Sequence, residues 1–403
     1  MDDVRFLHSL SIRNFLSYGE NGGDVDLNAL NVIIGSNGSG KSNLIEALGL
    51  LHALPTTLSA YIRGGGGARE WFWKGESNQR SLADMVIESV VAYPKGWMPL
   101  RYRITLGLEV ERLVVIDEVI ENKEPNGPNE SDVYFFYRYQ NGHPVINLQT
   151  ESMSDGGRQK RALQQDSLLT NQSVLAQRKD PEQYPELTYL GNQFPEIRFY
   201  REWNLGRYTA PRIPQKVDLP EDFLLEDASN LGLVLNNLEH RIGKRDILKY
   251  LKLFYEPIED ITTKISGGTV QIFLHEAGLQ PIPATRLSDG TLRYLCLLTL
   301  LLHPEPPPLI CIEEPELGLH PDILPTIAEL LIDASRRTQI VVTTHSDVIV
   351  SALSDTPESV LVCERNQDGS YLRRLDRESL QEWLEDYTLG ELWSMGELGG
   401  TRW

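Results

Sequence analysis

Residues 35–42 read Gly-Ser-Asn-Gly-Ser-Gly-Lys-Ser, the full G-x-x-x-x-G-K-S pattern of a phosphate-binding loop, or P-loop. The apolar run 30–34 precedes this loop and a helix-like stretch from Asn43 follows it, which predicts a strand, a loop and a helix. In that order the loop N–H groups and the helix N-terminus point at one anion. Lys41 is then expected to reach the β- and γ-phosphates of a nucleotide, and the Ser42 hydroxyl to bind Mg²⁺.

The loop as a whole supplies the candidate contacts to the phosphates. The alternative interpretation, a glycine-rich turn without a ligand, is disfavoured because the strand and the helix are both in place. The residues predicted to contact the nucleotide here are Gly35, Ser36, Asn37, Gly38, Ser39, Gly40, Lys41, Ser42 and Asn43.

The bulk properties predict a globular cytoplasmic protein. The chain has 403 residues, enough for a large core and two lobes. No stretch approaches the roughly 18 uninterrupted apolar residues of a membrane helix, so no membrane association is expected. Asp2 and Asp3 do not fit a secretory signal. Cys296, Cys311 and Cys363 lie in apolar segments without metal-ligand spacing, which favours buried thiols over zinc ligands or disulfides.

The net charge of −19 opposes non-specific binding to DNA or to anionic lipid over most of the surface. Two basic clusters interrupt this acidity, one within 158–161 and one within 241–245. Each cluster is interpreted as a solvated helix face, with a local phosphate-binding track as the alternative.

The order of elements predicts four segments. Alternating apolar patterns in 85–150 predict an antiparallel meander, and 155–185 is polar with helical potential, which suggests a peripheral arm. Two helices are expected in 220–255, and strands alternate with helices from 258 to 365, which implies a parallel sheet covered on both faces. The predicted segments are an N-terminal part with the P-loop and the β lobe (1–150), a helical insertion (151–257), a C-terminal part of the same head (258–365) and a tail (366–403).

Two acids end the apolar run 309–312, and a buried strand there would deliver Glu313 and Glu314 to its C-terminal edge. Glu313 can hold Mg²⁺, and Glu314 can orient the attacking water as general base. The first acid in this position is usually Asp, so Glu313 is a departure. Without a P-loop, two solvated acids at an exposed strand end would be the preferred interpretation.

Two further motifs stand near the acids. Ser288 and Gly290 open a helix and can form an anion site, although the same residues also fit a plain helix cap. His345 follows the predicted strand 339–343, where a sensor of the γ-phosphate would lie; a structural histidine is the alternative.

Taken together, the motifs resemble those of the ABC-type ATPase heads of the SMC/RecF and OLD-like families. Besides the P-loop, the resemblance rests on Leu-Ser-x-Gly at 287–290, Glu-Glu-Pro-Glu-x-Gly-Leu-His-Pro at 313–321, Thr-Thr-His-Ser at 343–346 and Ile-Arg-Asn-Phe at 12–15. It implies an α/β P-loop NTPase fold of ABC-ATPase type, with a mixed sheet, an antiparallel β-meander lobe and a helical subdomain.

The resemblance also implies the ligands and the assembly. ATP and Mg²⁺ are expected, with hydrolysis by Glu314, His345 and Lys41. An ATP-dependent homodimer is expected, in which Ser288 and Gly290 of one protomer face Lys41 of the other. The opening motif adds Arg13 and Asn14 as nucleotide contacts, and Gln79 is a weak candidate for the metal-binding glutamine of these heads.

Missing parts narrow the class to a short, stand-alone ATPase, because the chain has no long coiled coil and about sixty residues follow His345. The tail resembles those of bacterial members that act beside a separately encoded effector, often a TOPRIM-like nuclease, in phage defence. Trp393 and Trp403 would then serve as exposed docking residues, or the tail folds onto its own domain. The rival interpretations are a RecF-like repair ATPase that binds DNA directly and a scaffold that binds nucleotide without hydrolysis.

Overall fold

Strands from both ends of the chain build the sheet that carries the P-loop. The computed structural model describes residues 4–75, 83–125, 132–140, 143–149, 158–162 and 168–400. In chain order, the strands of these residues are β1 (Leu7–Arg13), β2 (Gly23–Asp26), β3 (Leu30–Ile34), β4 (Met85–Val91), β5 (Leu100–Glu109), β6 (Arg112–Asn122), β7 (Phe135–Gln140), β8 (His143–Gln149), β9 (Arg158–Ala162), β10 (Arg198–Tyr200), β11 (Gln215–Lys216), β12 (Ile258–Ser266), β13 (Thr269–Glu276), β14 (Ile282–Pro283), β15 (Leu309–Glu313), β16 (Gln339–Thr343), β17 (Val360–Asn366) and β18 (Gly369–Arg374).

The helices cover the sheets and connect them. In the same described residues, the α-helices are α1 (Lys41–Ala53), α2 (Leu58–Gly64), α3 (Val174–Gln177), α4 (Pro185–Gln193), α5 (Leu231–Ile242), α6 (Lys244–Phe254), α7 (Asp289–Leu301), α8 (Leu324–Ala334), α9 (Asp347–Ser351), α10 (Arg377–Leu384) and α11 (Leu389–Met395). Short 3₁₀ turns lie at Ala68–Trp71, Phe194–Glu196, Ala284–Arg286, Pro321–Ile323 and Pro357–Ser359. In the described part of the chain, no helix has both the length and the apolarity needed to cross a bilayer.

The central sheet has the strand order β10-β15-β16-β3-β17-β18. Its first five strands are parallel, and β18 pairs antiparallel with β17. Every residue of β3 is buried, as expected for a strand with packed layers on both faces. Because parallel strands end at one edge, the residues that follow β3, β15 and β16 meet there: the P-loop, the acid pair and the Thr-Thr-His-Ser segment.

Alternate residues of β3 face different cores. Val32 and Ile34 belong to one buried cluster with α7 and α8, whereas Ile33 belongs to a second cluster with α1 and the meander. This period of two is the geometry of a strand between two layers. All three cysteines are free and buried, as the sequence predicted, and two of them, Cys311 and Cys363, lie on strands of this sheet.

The predicted meander is confirmed as an antiparallel sheet with the order β2-β1-β4-β5-β6-β7-β8-β9. Its last strand corrects the prediction of a helical arm in 155–185, because Arg158–Ala162 pairs with β8. The basic residues 158–161 therefore lie on a strand rather than on a helix face. Residues 158–162 are mostly polar and show no alternation of apolar residues, so the sequence does not predict a strand there. Such a strand forms because it pairs with a neighbouring strand, more than because of its local propensity.

The helical region also contains strands that the sequence did not predict. The two helices expected in 220–255 are confirmed as α5 and α6. However, β10 and β11 both lie within the predicted insertion: β10 joins the central sheet, and β11 pairs with β13 in a smaller sheet. A three-residue strand such as β10 is too short to show a periodic pattern, so its assignment depends on its partner β15. The division of the chain into four segments stays a prediction.

The tail folds onto the head instead of standing free. Helix α11 packs on α9, and Trp393 is 3% exposed, so the prediction of an exposed Trp393 is wrong. Its indole Nε1 donates to the carbonyl oxygen of Gly400 at 3.2 Å. A Cβ built on Gly400 would lie 3.2 Å from the Cα of Gly35, the first residue of the P-loop. Trp403 lies outside the described residues.

Candidate nucleotide-binding site

The P-loop joins β3 to α1, and its lysine closes the loop from within. Lys41 is the first residue of α1, and its Nζ donates to the carbonyl oxygens of Gly35 at 2.8 Å and Ser36 at 3.0 Å. Burial lowers the pKa of the Lys41 ammonium from its usual value. Gly40 has φ of 113°, and a Cβ there would lie 2.4 Å from Ser370 Oγ, so the tight entry to α1 requires glycine. The loop thus holds the Lys41 ammonium at the place where the sequence predicts that phosphate binds.

Oxygen ligands for a magnesium ion are assembled beside the loop. Burial raises the pKa of the Glu313 carboxyl, and the neighbouring Arg201 charge and the nearby Ser42 hydroxyl oppose that rise. Ser42, Glu313, Glu46 and Glu314 line one cavity of about 860 Å³. A hydroxyl and a carboxylate next to a phosphate loop fit Mg²⁺, which takes few protein ligands.

The described residues, this cavity included, contain no group of three His, Cys, Asp or Glu side chains able to hold a metal ion. Gln79, the other predicted metal ligand, lies outside the described residues. The fit for magnesium therefore rests on Ser42 and Glu313.

The predicted base and the predicted sensor face each other. Glu314 Oε1 lies 3.8 Å from His345 Nε2, and both side chains are about one-third exposed, at 38% and 32%. Glu314 has φ of 47°, in the left-handed region that non-glycine residues rarely adopt, while its N–H donates to Thr343 O at 2.9 Å. A strained backbone at the end of β15 thus aims this carboxylate along the cavity.

Glu316 is a site residue to which sequence reasoning gave no role. Its Oε1 accepts hydrogen bonds from the Thr344 hydroxyl and from the His345 N–H, both at 2.7 Å. Burial raises the pKa of the Glu316 carboxyl, and these hydrogen bonds lower it. The segment after the acid pair is thereby tied to the histidine segment. The sequence feature that could have identified Glu316 is its position in the Glu-Glu-Pro-Glu run at 313–316.

The opening motif reaches the P-loop through residues other than those predicted. Arg13 forms an ion pair with Asp24, with its NH2 3.7 Å from Oδ2, and Asn14 Nδ2 donates to Asp84 O at 3.0 Å. These contacts hold Arg13 and Asn14 to the meander, and the structure does not bring them into contact with the loop. Their role as nucleotide contacts stays a prediction.

Ser17 and Tyr18, which follow the Ile-Arg-Asn-Phe motif at 12–15, make the contacts with the P-loop and the start of α1. The Tyr18 hydroxyl donates to Gly40 O at 3.2 Å, and Asn43 Nδ2 donates to Ser17 Oγ at 2.7 Å. Both side chains are buried. The polar turn after Ile-Arg-Asn-Phe therefore supports the loop from outside, and Asn43 is engaged with this turn.

Ser288 and Gly290 stand apart from the P-loop of their own chain. Ser288 caps α7, with its Oγ accepting from the Thr291 N–H at 3.0 Å. Both residues line a cavity of about 760 Å³ with Gly318 and His320, and this cavity shares no lining residue with the one beside the P-loop. A single chain therefore does not bring the Leu-Ser-x-Gly motif at 287–290, called the signature below, to Lys41.

Arg212 holds the signature helix and was not found from the sequence. It is buried, its Nε donates to Leu205 O at 2.6 Å, and its guanidinium contacts Leu287 O and the Asp289 carboxylate. Arg212 is a single arginine in an irregular segment, so no sequence motif predicted its role. Its contacts fix the loop that precedes α7.

Solved structures of Smc heads share this fold. A crystal structure of the SmcHead bound to the C-winged helix domain of ScpA has a TM-score of 0.57 at 14% identity, covering 93% of this chain and 99% of that chain. An Smc head domain with an extended coiled coil, bound to the C-terminal domain of ScpA and derived from Pyrococcus furiosus, has a TM-score of 0.51 at 15% identity, covering 94% and 99%. The likeness confirms the predicted α/β P-loop fold of an ABC-type ATPase head.

Comparison with curated proteins found no match. Comparison with protein families matched residues 30–351 to the family described as "AAA domain, putative AbiEii toxin, Type IV TA system". The matched span runs from β3 to the end of α9 and includes the P-loop, the acid pair and the histidine segment. With most of its length matched, the chain belongs to this AAA-domain family.

Proposed function

We propose that the protein binds ATP with Mg²⁺, hydrolyses it, and does so as a dimer. One observation carries the proposal: Ser42, at the end of the P-loop, lines the same cavity as Glu313 and Glu314, the acid pair at the edge of the central sheet. A phosphate-binding loop and an acid pair are thereby joined in one cavity. Family membership supports nucleotide binding and leaves the activity to be measured.

Each residue of the site has a part in the proposed reaction. Lys41 and the loop N–H groups hold the β- and γ-phosphates, and Ser42 and Glu313 would hold magnesium. When bound, the metal neutralises charge on the phosphates during transfer. Glu314 accepts a hydrogen bond from the attacking water and takes its proton, and His345, facing Glu314, contacts the γ-phosphate. The leaving group is ADP.

The test is phosphate release by the purified full chain with ATP and Mg²⁺. Lys41→Ala removes a charge that pairs with phosphate in a buried site, a loss of about 2–5 kcal/mol in binding. We expect ATP affinity in calorimetry to fall accordingly, and hydrolysis with it. Lys95→Ala changes an exposed lysine and serves as control. Equal ATP affinity in both variants would contradict the assignment, and binding without hydrolysis would favour the scaffold interpretation.

The separate position of Ser288 and Gly290 supports the dimer. Their cavity shares no lining residue with the cavity beside the P-loop of the same chain, so a second protomer is the available source of a nucleotide for them. A two-fold arrangement would place each signature against the partner's Lys41 and create two equivalent sites.

We further infer that the ATP-bound dimer controls a separately encoded effector, such as a TOPRIM-like nuclease, in phage defence. The toxin-type family description and the net charge of −19, which disfavours direct DNA binding, support this over the repair alternative. The test is capture of the native complex with ATP and with ADP, followed by identification of the bound protein. Tight, salt-sensitive binding of DNA by the isolated chain would instead favour the RecF-like alternative.

A further inference from the structure

Arg201 lies next to the acid pair although it is far away in sequence. It follows β10 directly, and β10 runs parallel to β15 with Tyr200 opposite Ile312. The next pair in that register is Arg201 and Glu313. The sheet edge that assembles the candidate site therefore includes this arginine.

Its guanidinium bridges two carboxylates that come from different elements. Arg201 Nε lies 3.2 Å from Glu313 Oε1, and its NH1 donates to Glu46 Oε1 on the P-loop helix. Glu46 Oε2 also accepts from the Tyr61 hydroxyl at 2.5 Å. The Nε makes no hydrogen bond, so its contact with Glu313 is an ion pair. The Glu313 carboxylate thus keeps its hydrogen-bonding capacity for other groups in the cavity, which Ser42 also lines.

The charge of Arg201 has no substitute in this cavity. Among the described residues that line the cavity, Arg201 is the single lysine or arginine. Loss of its charge would leave Glu46 and Glu313 close together, partly buried and without a cation between them, which is costly. The acidic residues that line the cavity are Glu46, Glu202, Glu226, Asp227, Glu313 and Glu314.

We propose that Arg201 is the positioning residue for magnesium: it holds the Glu313 carboxylate beside Ser42 so that the pair receives the metal together with ATP. The inference rests on the proposed nucleotide site and adds a residue to it. One guanidinium between two carboxylates leaves a net negative charge, which attracts the cation. Residues that orient a metal ligand typically change metal affinity about 10- to 100-fold when removed.

A purely structural tie between α1 and β10 predicts something else. Loss of such a tie would lower the unfolding temperature and leave the magnesium requirement of the folded protein unchanged. The two roles are separated by measuring magnesium binding rather than turnover.

The experiment is calorimetric binding of a non-hydrolysable ATP analogue to the full chain at a series of Mg²⁺ concentrations. Arg201→Gln is expected to raise the half-saturating Mg²⁺ concentration about tenfold or more. Affinity for the analogue without magnesium should change less than about twofold, because Lys41 and the loop are untouched. Arg198→Gln is the matched control, since Arg198 begins β10, the strand that Arg201 follows, has the same 33% side-chain exposure and pairs with Glu196 instead.

The outcomes separate this inference from the function on which it rests. Absence of analogue binding by the wild-type chain refutes the proposed function itself. Normal binding by the wild type with an unchanged magnesium requirement in Arg201→Gln refutes the inference alone. Where Arg201→Gln does not fold, Arg201→Lys decides in the same assay. Lysine keeps the charge but cannot bridge both carboxylates, so the half-saturating concentration should rise, and an unchanged value overturns the proposal.

Discussion

Glu314 is the residue on which the proposed chemistry most directly depends. Its carboxylate lines the cavity that contains Ser42 and Glu313, and it faces His345. Glu314→Gln keeps the shape of the side chain and removes the group that accepts the proton of water. We expect ATP to bind as before and turnover to fall about 10²- to 10⁴-fold.

Single-turnover phosphate release and ATP binding measure the two halves of this prediction. Glu329→Gln, an exposed glutamate on α8, is the control. Because turnover is slow, the variant should also retain ATP in the assembled state. Hydrolysis at the wild-type rate would show that another group is the base, with Glu313 and His345 the next candidates.

At the scale of elements, a buried carboxylate joins the meander to the start of α3. Glu118 on β6 accepts hydrogen bonds from the hydroxyls of Tyr102 and Ser173 and from the Val174 N–H. Burial raises the pKa of the Glu118 carboxyl to about 6, although these three hydrogen bonds favour its charged form. The pKa in the folded state is thus above the usual value for an unfolded chain.

The sign of the resulting pH effect follows from linkage. The folded state binds the proton more tightly, so Glu118 contributes stability below about pH 4.5 that is lost as the pH rises through about 6. The free energy of unfolding of the wild type should therefore fall by about 1 kcal/mol relative to Glu118→Gln between about pH 5 and pH 7.5. Urea denaturation at both values measures it, with the exposed Glu109→Gln as control. A constant difference would contradict the prediction.

The contact between the tail and the P-loop gives a second prediction for an element. Gly400 has φ of 62°, and a Cβ there would lie 2.9 Å from Val362 Cγ1 and 3.2 Å from Gly35 Cα. Gly400→Ala should displace this segment from the loop, lowering both stability and ATP affinity. Gly278→Ala is the matched control, since φ is 73° and no atom lies within 4 Å, so it carries the backbone strain of about 1–2 kcal/mol alone.

Unfolding and ATP calorimetry on the two glycine variants separate strain from contact. We expect Gly400→Ala to be the less stable and to bind ATP more weakly, while Gly278→Ala binds ATP like the wild type. Equal behaviour in both assays would show that the tail does not support the loop.

Elements with a local signal were predicted well, and those that depend on distant partners were not. The P-loop, β3 and α1 follow from one contiguous run, because the spacing of glycines and the flanking apolar residues are local properties. In contrast, β10 and β9 exist because β15 and β8 lie beside them. Arg201 and Arg212 likewise pair with acids far away in the sequence, Glu313 and Asp289 respectively, so no motif in the sequence marked either of them.

At the scale of the whole molecule, the proposed function of the signature depends on a second protomer. In the proposed dimer each site combines Lys41 of one protomer with Ser288 of the other. Mixing Lys41→Ala with Ser288→Arg should give one site with both defects and one intact site in each mixed dimer. Half of the dimers are mixed, so we expect about a quarter of the wild-type ATPase rate, whereas each variant alone is inactive.

The control for this mixture is Lys41→Ala combined with a chain that carries both substitutions, which cannot form an intact site. The ATPase rate measured against the mixing ratio should therefore rise in the first mixture only. Full activity of Ser288→Arg alone would show that the signature takes no part in hydrolysis, and the shared-site arrangement would be wrong.

The place of β3 between β16 and β17 also has a consequence for how the protein is made. Leu30 pairs with Ile340, and Val32 pairs with Val342 and Val360. At about 5–20 residues per second, a ribosome needs roughly 15–65 seconds to extend the chain from β3 to its partner strands β16 and β17. During that time the buried and mostly apolar strand β3 has no neighbour from the central sheet, so we expect the nascent chain to be a client for chaperones. Since the loop after β3 is positioned by those late strands, we expect the chain to bind ATP only after synthesis has passed them.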